Sequence, residues 1–286
     1  MTTLPPTLVD DALEAEFCER GWVVVPLLSE QETTHLRDFY RTRTADGSQN
    51  AEGAYNPTYA EFSVIHSTPE FRAEAYREIV DVVGVRAQEW LRSFRPLVAN
   101  FVNKLPGQGV VPMHQNWSVV DEQRFRSVSV WVALVDCTVE NGTLELLAGS
   151  HHDFRDPRGM WAYEAFADVA DDVHALLDRV EVRAGQAIIL DDAVVHYSPP
   201  NESTRDRLAI QLIMVPESAT PRFFQRVDGD DDQMVVDVWE VEERFFWDFW
   251  HGDGDARYGT VIDRIRIPSA RVGAQEFIER YRSSAG

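Results

Sequence analysis

Positive charge is scarce in this sequence. Lysine and arginine number 27 against 48 aspartates and glutamates, a formal net charge of -21 over 286 residues. Such a surface repels phosphate backbones and anionic lipid headgroups, so nucleic acids and membrane surfaces are set aside as partners. Cysteine is scarcer still. Cys18 and Cys137 stand alone, neither lies in a C-x-x-C pair, and no disulfide framework can be drawn. No apolar run approaches the roughly 20 residues a membrane span requires. The N-terminal MTTLPPTLVDDALEAEF has neither the basic region nor the apolar stretch of an export signal. These absences predict a soluble cytoplasmic protein. No G-x-S-x-G occurs, which removes the usual signature of a Ser/His/Asp hydrolase. Asp228-Gly-Asp-Asp-Asp232 lacks the spacing and closing glutamate of an EF-hand and reads as a solvated loop.

What is present is a chain of ample core-forming capacity, 44% hydrophobic. A strand is expected at Trp22–Leu27. Ser29 and Glu32 then fit a capping box that opens a helix to about Arg43. The polar, glycine-bearing stretch 44–62 reads as a long loop of the kind that forms lids, and a helical pattern follows over Pro69–Phe94. The periodicity then changes to two. Val98–Asn103, Val110–Val120, Arg126–Val135, Thr143–Leu147, Val180–Arg183, Ala187–Leu190 and Arg207–Val215 read as strands. Within 126–135, Val128, Val130, Val132 and Leu134 share one face, and Ser129, Trp131 and Ala133 the other. Residues 152–179 form a mixed excursion, the second candidate lid. An aromatic helix is expected around Val238–Trp250 and a short one near the C-terminus. Helices followed by at least seven short strands predict a double-sheet jelly roll with helices packed outside it. We expect a single domain over 1–286: a helical part over about 1–96, a jelly-roll core over about 97–220 and a helical, aromatic extension over about 221–286.

The chemistry is carried by histidines. In a small barrel alternate strand residues point inward, so His114 and Asn116 of VPMHQNWSVVDE share a face. His196 in ILDDAVVHYSPPN is the best distant partner. Two histidines and one carboxylate on one face are the donor set of non-haem Fe(II) oxygenases. An isolated histidine is ordinarily structural, and His151 and His152 of AGSHH fall under that reading as exposed turn or helix-start residues.

The ordered blocks HQNW, NGTLELLAGSH, HYSPPN and Arg207-Leu-Ala resemble the phytanoyl-CoA dioxygenase family of Fe(II)/2-oxoglutarate oxygenases over roughly residues 98–216. The resemblance implies a double-stranded β-helix with His114 and His196 as metal ligands and position 116 as the third. It also implies that Arg207 pairs bidentately with the distal carboxylate of 2-oxoglutarate, that Ser198 bonds the same carboxylate, and that Trp131 walls the cosubstrate pocket. Fe(II) and 2-oxoglutarate are thus the expected cofactor and cosubstrate. The expected reaction is oxidation of a small molecule with O2, releasing succinate and CO2. A tailoring hydroxylation in secondary metabolism is the leading form; ring closure and desaturation are variations known in such families. Trp117, Tyr197, Phe101 and Trp161 are candidates for the substrate wall, each with plain core as its alternative. The aromatic run Phe245–Trp250 could wall the substrate or form a homodimer interface, with packing against the barrel as the plainer alternative.

The family ordinarily carries aspartate where this chain has Asn116. Asp121 lies about 16 Å further along an extended strand and on the opposite face, and Glu122 is farther still, so neither substitutes unless the strand breaks. Several readings stay open. The amide oxygen ligates in a working enzyme; the residue is an engineered replacement; or the chain is a binding protein that kept the fold and lost the chemistry. Lowest in rank is an exogenous anion at the metal, as in related halogenases. A cupin-like metalloenzyme that needs no 2-oxoglutarate is a further alternative.

Overall fold

In a computed structural model, the structure describes residues 4–248 except 48, 49, 53, 55, 57, 164, 168, 231 and 232, together with 259–268, 279 and 281. Helix α1 (Asp11–Arg20) is capped by the Asp10 carboxylate and leads into strand β1 (Trp22–Pro26). Ser29 closes the expected capping box with Glu32 in both directions and starts α2 (Glu30–Arg43). After the short β2 (Glu61–Phe62), α3 (Pro69–Ile79) continues through a π-helical turn at Val80–Gly84 and ends near Ala87. The expected helix to Phe94 is therefore too long: Phe94 already opens β3 (Phe94–Lys104).

Seven strands follow: β4 (Val111–His114), β5 (Val128–Ala133), β6 (Leu144–Leu146), β7 (Asp178–Val180), β8 (Gln186–Asp191), β9 (His196–Ser198) and β10 (Arg207–Pro216). They form a six-stranded sheet in the order β1-β8-β5-β10-β3-β2 and a four-stranded sheet in the order β4-β9-β6-β7. This is the mainly β jelly roll that the alternating pattern predicts.

Strand alternation sorts the residues of the larger sheet. Val128, Val130 and Val132 of β5 join Leu208, Ile210 and Leu212 of β10 beneath Phe17, Leu36, Phe71 and Ile79 of the helices. The opposite face turns Trp131, Ala133, Ile188, Leu190 and Ala209 into the interior between the sheets. The valine stripe read from the sequence thus faces the helices, and Trp131 faces the interior.

Two expectations need correction. The strand expected at Val110–Val120 stops at His114, because the next side chains leave the ladder. Gln115 donates from Nε2 to the carbonyls of Phe154 (2.7 Å) and Ala193 (2.5 Å), and Arg158 donates from Nε to the carbonyl of Asn116 at 2.9 Å. The second concerns the tail. Residues 238–241, expected to open the helix Val238–Trp250, instead end β12 (Gln233–Val241), which lies between β11 (Arg222–Gly229) and β13 (Gly259–Pro268). The valine-rich MVVDVWEV prefers a pleated surface, and Met234, Val236 and Val238 pack with Trp161, Phe224 and Ile267. Helix remains only as the turn Phe245–Asp248. Trp250, part of the Asp228–Asp232 run, and most of the expected C-terminal helix lie outside the described residues. Among the described residues, no helix is long and apolar enough to cross a membrane.

Candidate active site

His114 at the end of β4 and His196 at the start of β9 are direct cross-strand partners in the smaller sheet. Their rings lie 4.2 Å apart, centroid to centroid, and Tyr163 stacks on His114 at 4.4 Å. Each imidazole is oriented in the same way. His114 Nδ1 lies 2.8 Å from the Pro112 carbonyl, and His196 Nδ1 lies 2.8 Å from the Val194 carbonyl. A carbonyl only accepts, so Nδ1 carries the proton in both rings and Nε2 carries the lone pair, the tautomer that binds a metal. Burial, joined by the neighbouring His196 ring, holds His114 well below the ordinary histidine range, and burial brings His196 down to about 4. Both rings are neutral at pH 7.

Asn116 lies with these histidines along one cavity. Its Nδ2 donates to Ser129 Oγ at 3.0 Å and to Asp192 Oδ1 at 2.9 Å. Among the described residues no group of three or more His, Cys, Asp or Glu side chains is placed to hold a metal ion. Beside the two rings the described lining of the cavity presents the Asn116 amide and no carboxylate. Asp121 and Glu122 do not substitute, although the strand does break. Asp121 pairs with Arg222 at 3.1 Å, and Glu122 is buried in an ion pair with Arg158.

Arg207 and Ser198 line the same cavity. Arg207 opens β10 directly opposite Lys104, the last residue of β3. Both are fully buried, at 1% and 0% exposure. Among the described residues, Arg207 Nε and Nη1 have no hydrogen-bond partner, and the guanidinium carbon sits 5.3 Å over the Trp131 ring. Lys104 Nζ reaches across to the smaller sheet, donating to Ser198 Oγ and to the carbonyls of Ser198 (3.2 Å) and Pro199 (2.6 Å). Ser198 Oγ donates to the Gly142 carbonyl at 2.8 Å. Burial first, and then Arg207, press Lys104 down to about 5. A buried guanidinium beside the Lys104 amine, with no acid against them among the described residues, forms a pocket suited to an anion.

Gly142 of the Asn-Gly turn braces this pocket. Its φ is +81°, and a Cβ there would stand 2.4 Å from the Pro199 carbonyl oxygen and 3.1 Å from Lys104 Nζ. Gly142→Ala adds left-handed strain to overpacking. It is expected to destabilise the fold by about 2–4 kcal/mol in urea denaturation.

The structure brings the sequence candidates His114, Asn116, His196, Ser198, Trp131 and Arg207 together along one cavity. Sequence reasoning missed Lys104, although this is the sole lysine of the chain and ends a strongly apolar strand. It also missed Asp192. Of the four aromatic candidates, only Trp117 lines the adjoining apolar cavity. Phe101 is in the helix-side core, Trp161 packs under β12, and Tyr197 packs against His174. His151 is not exposed as expected. It is fully buried, its Nε2 3.1 Å from the Cys18 carbonyl, and only His152 is exposed.

Two buried imidazoles thus meet across neighbouring strands of a jelly roll, and a buried guanidinium lines the same cavity. The chain belongs to the phytanoyl-CoA dioxygenase (PhyH) family, whose model matches residues 11–209. A phytanoyl-CoA dioxygenase domain-containing protein 1 homologue of Dictyostelium discoideum is 28% identical over 165 residues, 55% of this chain and 54% of that protein. The phytanoyl-CoA dioxygenase domain-containing protein 1 of Danio rerio is 33% identical over 120 residues, 39% of this chain and 41% of that protein. The chain thus spans about half the length of the curated relatives it matches. Among solved structures, EvdO2 from Micromonospora carbonacea var. aurantiaca aligns with a TM-score of 0.55 at 21% identity, covering 80% of this chain and 97% of that one. The non-heme alpha ketoglutarate dependent carbocyclase SnoK from nogalamycin biosynthesis aligns with a TM-score of 0.54 at 22% identity, covering 77% and 90%. These two likenesses are of fold.

Proposed function

We propose that this chain is an Fe(II)/2-oxoglutarate-dependent oxygenase that hydroxylates an uncharged, largely apolar small molecule. The observation that carries the reading is Arg207, buried with two unpartnered N–H groups in the cavity that also holds both histidines. Its fork suits a carboxylate, and the same cavity is lined by both imidazoles, where the other end of a dicarboxylate would lie. His114 and His196 would hold the metal through Nε2 and Asn116 through Oδ1. When bound, iron with O2 and 2-oxoglutarate supplies the oxidising power, with succinate and CO2 released. The chain's own work is to orient and to exclude water. Arg207, Lys104 and Ser198 fix the distal carboxylate, and Trp131 covers the guanidinium face.

The substrate class follows from the adjoining cavity. It is lined by Phe62, Val64, Ile65, Val98, Val119, Trp117, Ile213 and Phe246, with Asn56, Thr58, Asn100 and Gln211 as hydrogen-bonding groups. None of its described lining residues is lysine, arginine, aspartate or glutamate. Such a lining favours a neutral substrate over a polyanionic CoA thioester. Asn56 and Thr58 come from the first candidate lid and Tyr163 from the second, so both segments supply walls. Compounds of this class should raise iron-dependent succinate formation. Stimulation by CoA thioesters alone would count against the assignment.

The amide at 116 favours a second reading, a 2-oxoglutarate-binding protein on the same fold without turnover. Succinate release by the chain as written separates the two.

Cosubstrate binding should take up a proton. A neutral Lys104 offers two N–H groups to three oxygens, and the pKa of about 5 leaves it neutral at pH 7. A carboxylate beside it favours the ammonium and raises that value. Affinity for 2-oxoglutarate should therefore fall as pH rises through 7, by up to about tenfold per unit. Calorimetry in two buffers of different ionisation enthalpy should show uptake approaching one proton. A pH-independent affinity would contradict this role for Lys104.

A further inference from the structure

Asp192 is the one buried acid at the site that the reading above leaves unused. It follows β8 on the interior side, after Ile188 and Leu190, and is 0% exposed. Its Oδ1 accepts from Asn116 Nδ2 at 2.9 Å and from Ser129 Oγ at 2.7 Å, while Asn116 Nδ2 also reaches Ser129 Oγ at 3.0 Å. The three side chains close a triangle. A serine has one proton, and here it goes to the carboxylate, so Ser129 accepts from the amide. A carboxylate accepts only, so the Asn116 nitrogen must face Asp192 and its Oδ1 must face away from it. Asn116 lines the cavity shared with His114 and His196.

The charge environment points the same way. Adjacent Asp191 takes the nearby guanidinium groups, Arg155 at 2.6 Å and Arg126 at 3.5 Å. Asp192 has no cationic partner among the described residues, and its Oδ2 has no hydrogen bond there either. A buried carboxylate so placed has a large desolvation cost, which its two hydrogen bonds offset in part and a nearby cation would offset further.

We propose that Asn116 and Asp192 act together as the acidic ligand of the site. The amide oxygen meets the metal, and Asp192, one hydrogen bond behind it, positions the amide and supplies the negative charge. The proposal rests on the metal reading above. The carboxylate has not been lost from the site; it has moved one residue back. Asp192 is a positioning residue, acting through Asn116, and an amide that donates to a carboxylate is polarised towards its oxygen.

The arrangement makes Asn116→Asp a poor repair. That change sets two carboxylates at hydrogen-bond distance in a buried site, where both cannot ionise. Asn116→Asp/Asp192→Asn instead restores one acid and one amide with their positions exchanged.

The test is Co(II) titration of the full chain without cosubstrate, followed by calorimetry and by the visible Co(II) spectrum, with apo melting curves as a check on folding. The unaltered chain should bind one equivalent. Asp192→Asn should bind at least about tenfold more weakly, the range seen for groups that orient metal ligands. The exchanged double variant should bind at least as tightly as the unaltered chain, and at least about tenfold more tightly than Asn116→Asp alone. Should Asp192→Asn not fold, the comparison of Asn116→Asp with the double variant decides. Binding by Asp192→Asn within twofold of the unaltered chain, or a double variant no better than Asn116→Asp, would overturn the pairing and leave the metal site standing. No Co(II) binding by the unaltered chain would overturn both.

Discussion

Arg207→Met is expected to fold at least as well as the unaltered chain and to lose 2-oxoglutarate binding by roughly 30- to 3000-fold. Truncating one member of a buried, hydrogen-bonded charge pair costs about 2–5 kcal/mol, and each 1.4 kcal/mol is tenfold in affinity. The sign on stability is opposite. Without an anion, Arg207 is a buried cation with Nε and Nη1 unpartnered among the described residues, and its cross-strand neighbour is the buried Lys104 amine rather than an acid. Burial lowers its pKa, which is the same cost expressed as proton affinity. Replacing such a group by an apolar one of similar length is neutral or stabilising. The apo melting temperature should therefore hold or rise, while the rise that 2-oxoglutarate gives the unaltered chain should vanish. Retained binding would show that the anion lies elsewhere.

His196→Ala is expected to abolish metal binding, with Co(II) affinity falling by about three orders of magnitude. That figure follows from losing one of only two strong donors, at several kcal/mol and 1.4 kcal/mol per decade. Asn116 and His114 alone form a neutral two-donor site. The imidazole is buried and neutral and bonds only to the Val194 carbonyl among its named partners, so the apo fold should lose little beyond a cavity term. His151→Ala provides the contrast. His151 is a buried histidine on the Cys18 carbonyl, away from the cavity, and its loss should leave Co(II) affinity unchanged. The two main variants separate the parts of the site. Arg207→Met should keep the metal and lose the cosubstrate, whereas His196→Ala should lose the metal and keep the cationic pocket. If both abolished both ligands, a general collapse would be the better explanation.

The sequence was most legible where one local rule decides the outcome. The Ser29–Glu32 capping box and the two faces of β5 are set by neighbours three or two residues away, and both stand as expected. Arg207 could be placed inward because it opens an apolar strand. The helix Pro69–Phe94 was drawn too long because the π-helical turn at Val80–Gly84 and the turn after Ala87 carry no proline to mark them. The aromatics of Val238–Trp250 suggest a helix, yet its first residues, 238–241, end a valine-rich strand.

At the site, the miss was one of search direction. The acid to compensate for Asn116 was sought along the same strand, at Asp121 and Glu122. It comes instead from the end of β8, where the alternation Ile188, Leu190, Asp192 already pointed inward. Lys104, the lone lysine of the chain at the end of an apolar strand, is a signal in its own right. Both residues act across the barrel, and pairings between sheets leave no local trace in sequence.

The most direct test of the account is succinate formation by the unaltered chain, incubated with Fe(II), 2-oxoglutarate and O2 and compared with Arg207→Met and His196→Ala. The account predicts iron-dependent succinate from the unaltered chain, none above background from either variant, and stimulation by neutral apolar compounds. Co(II) and 2-oxoglutarate both bound by the unaltered chain with no succinate formed would contradict the oxygenase reading and leave a binding protein on the same fold.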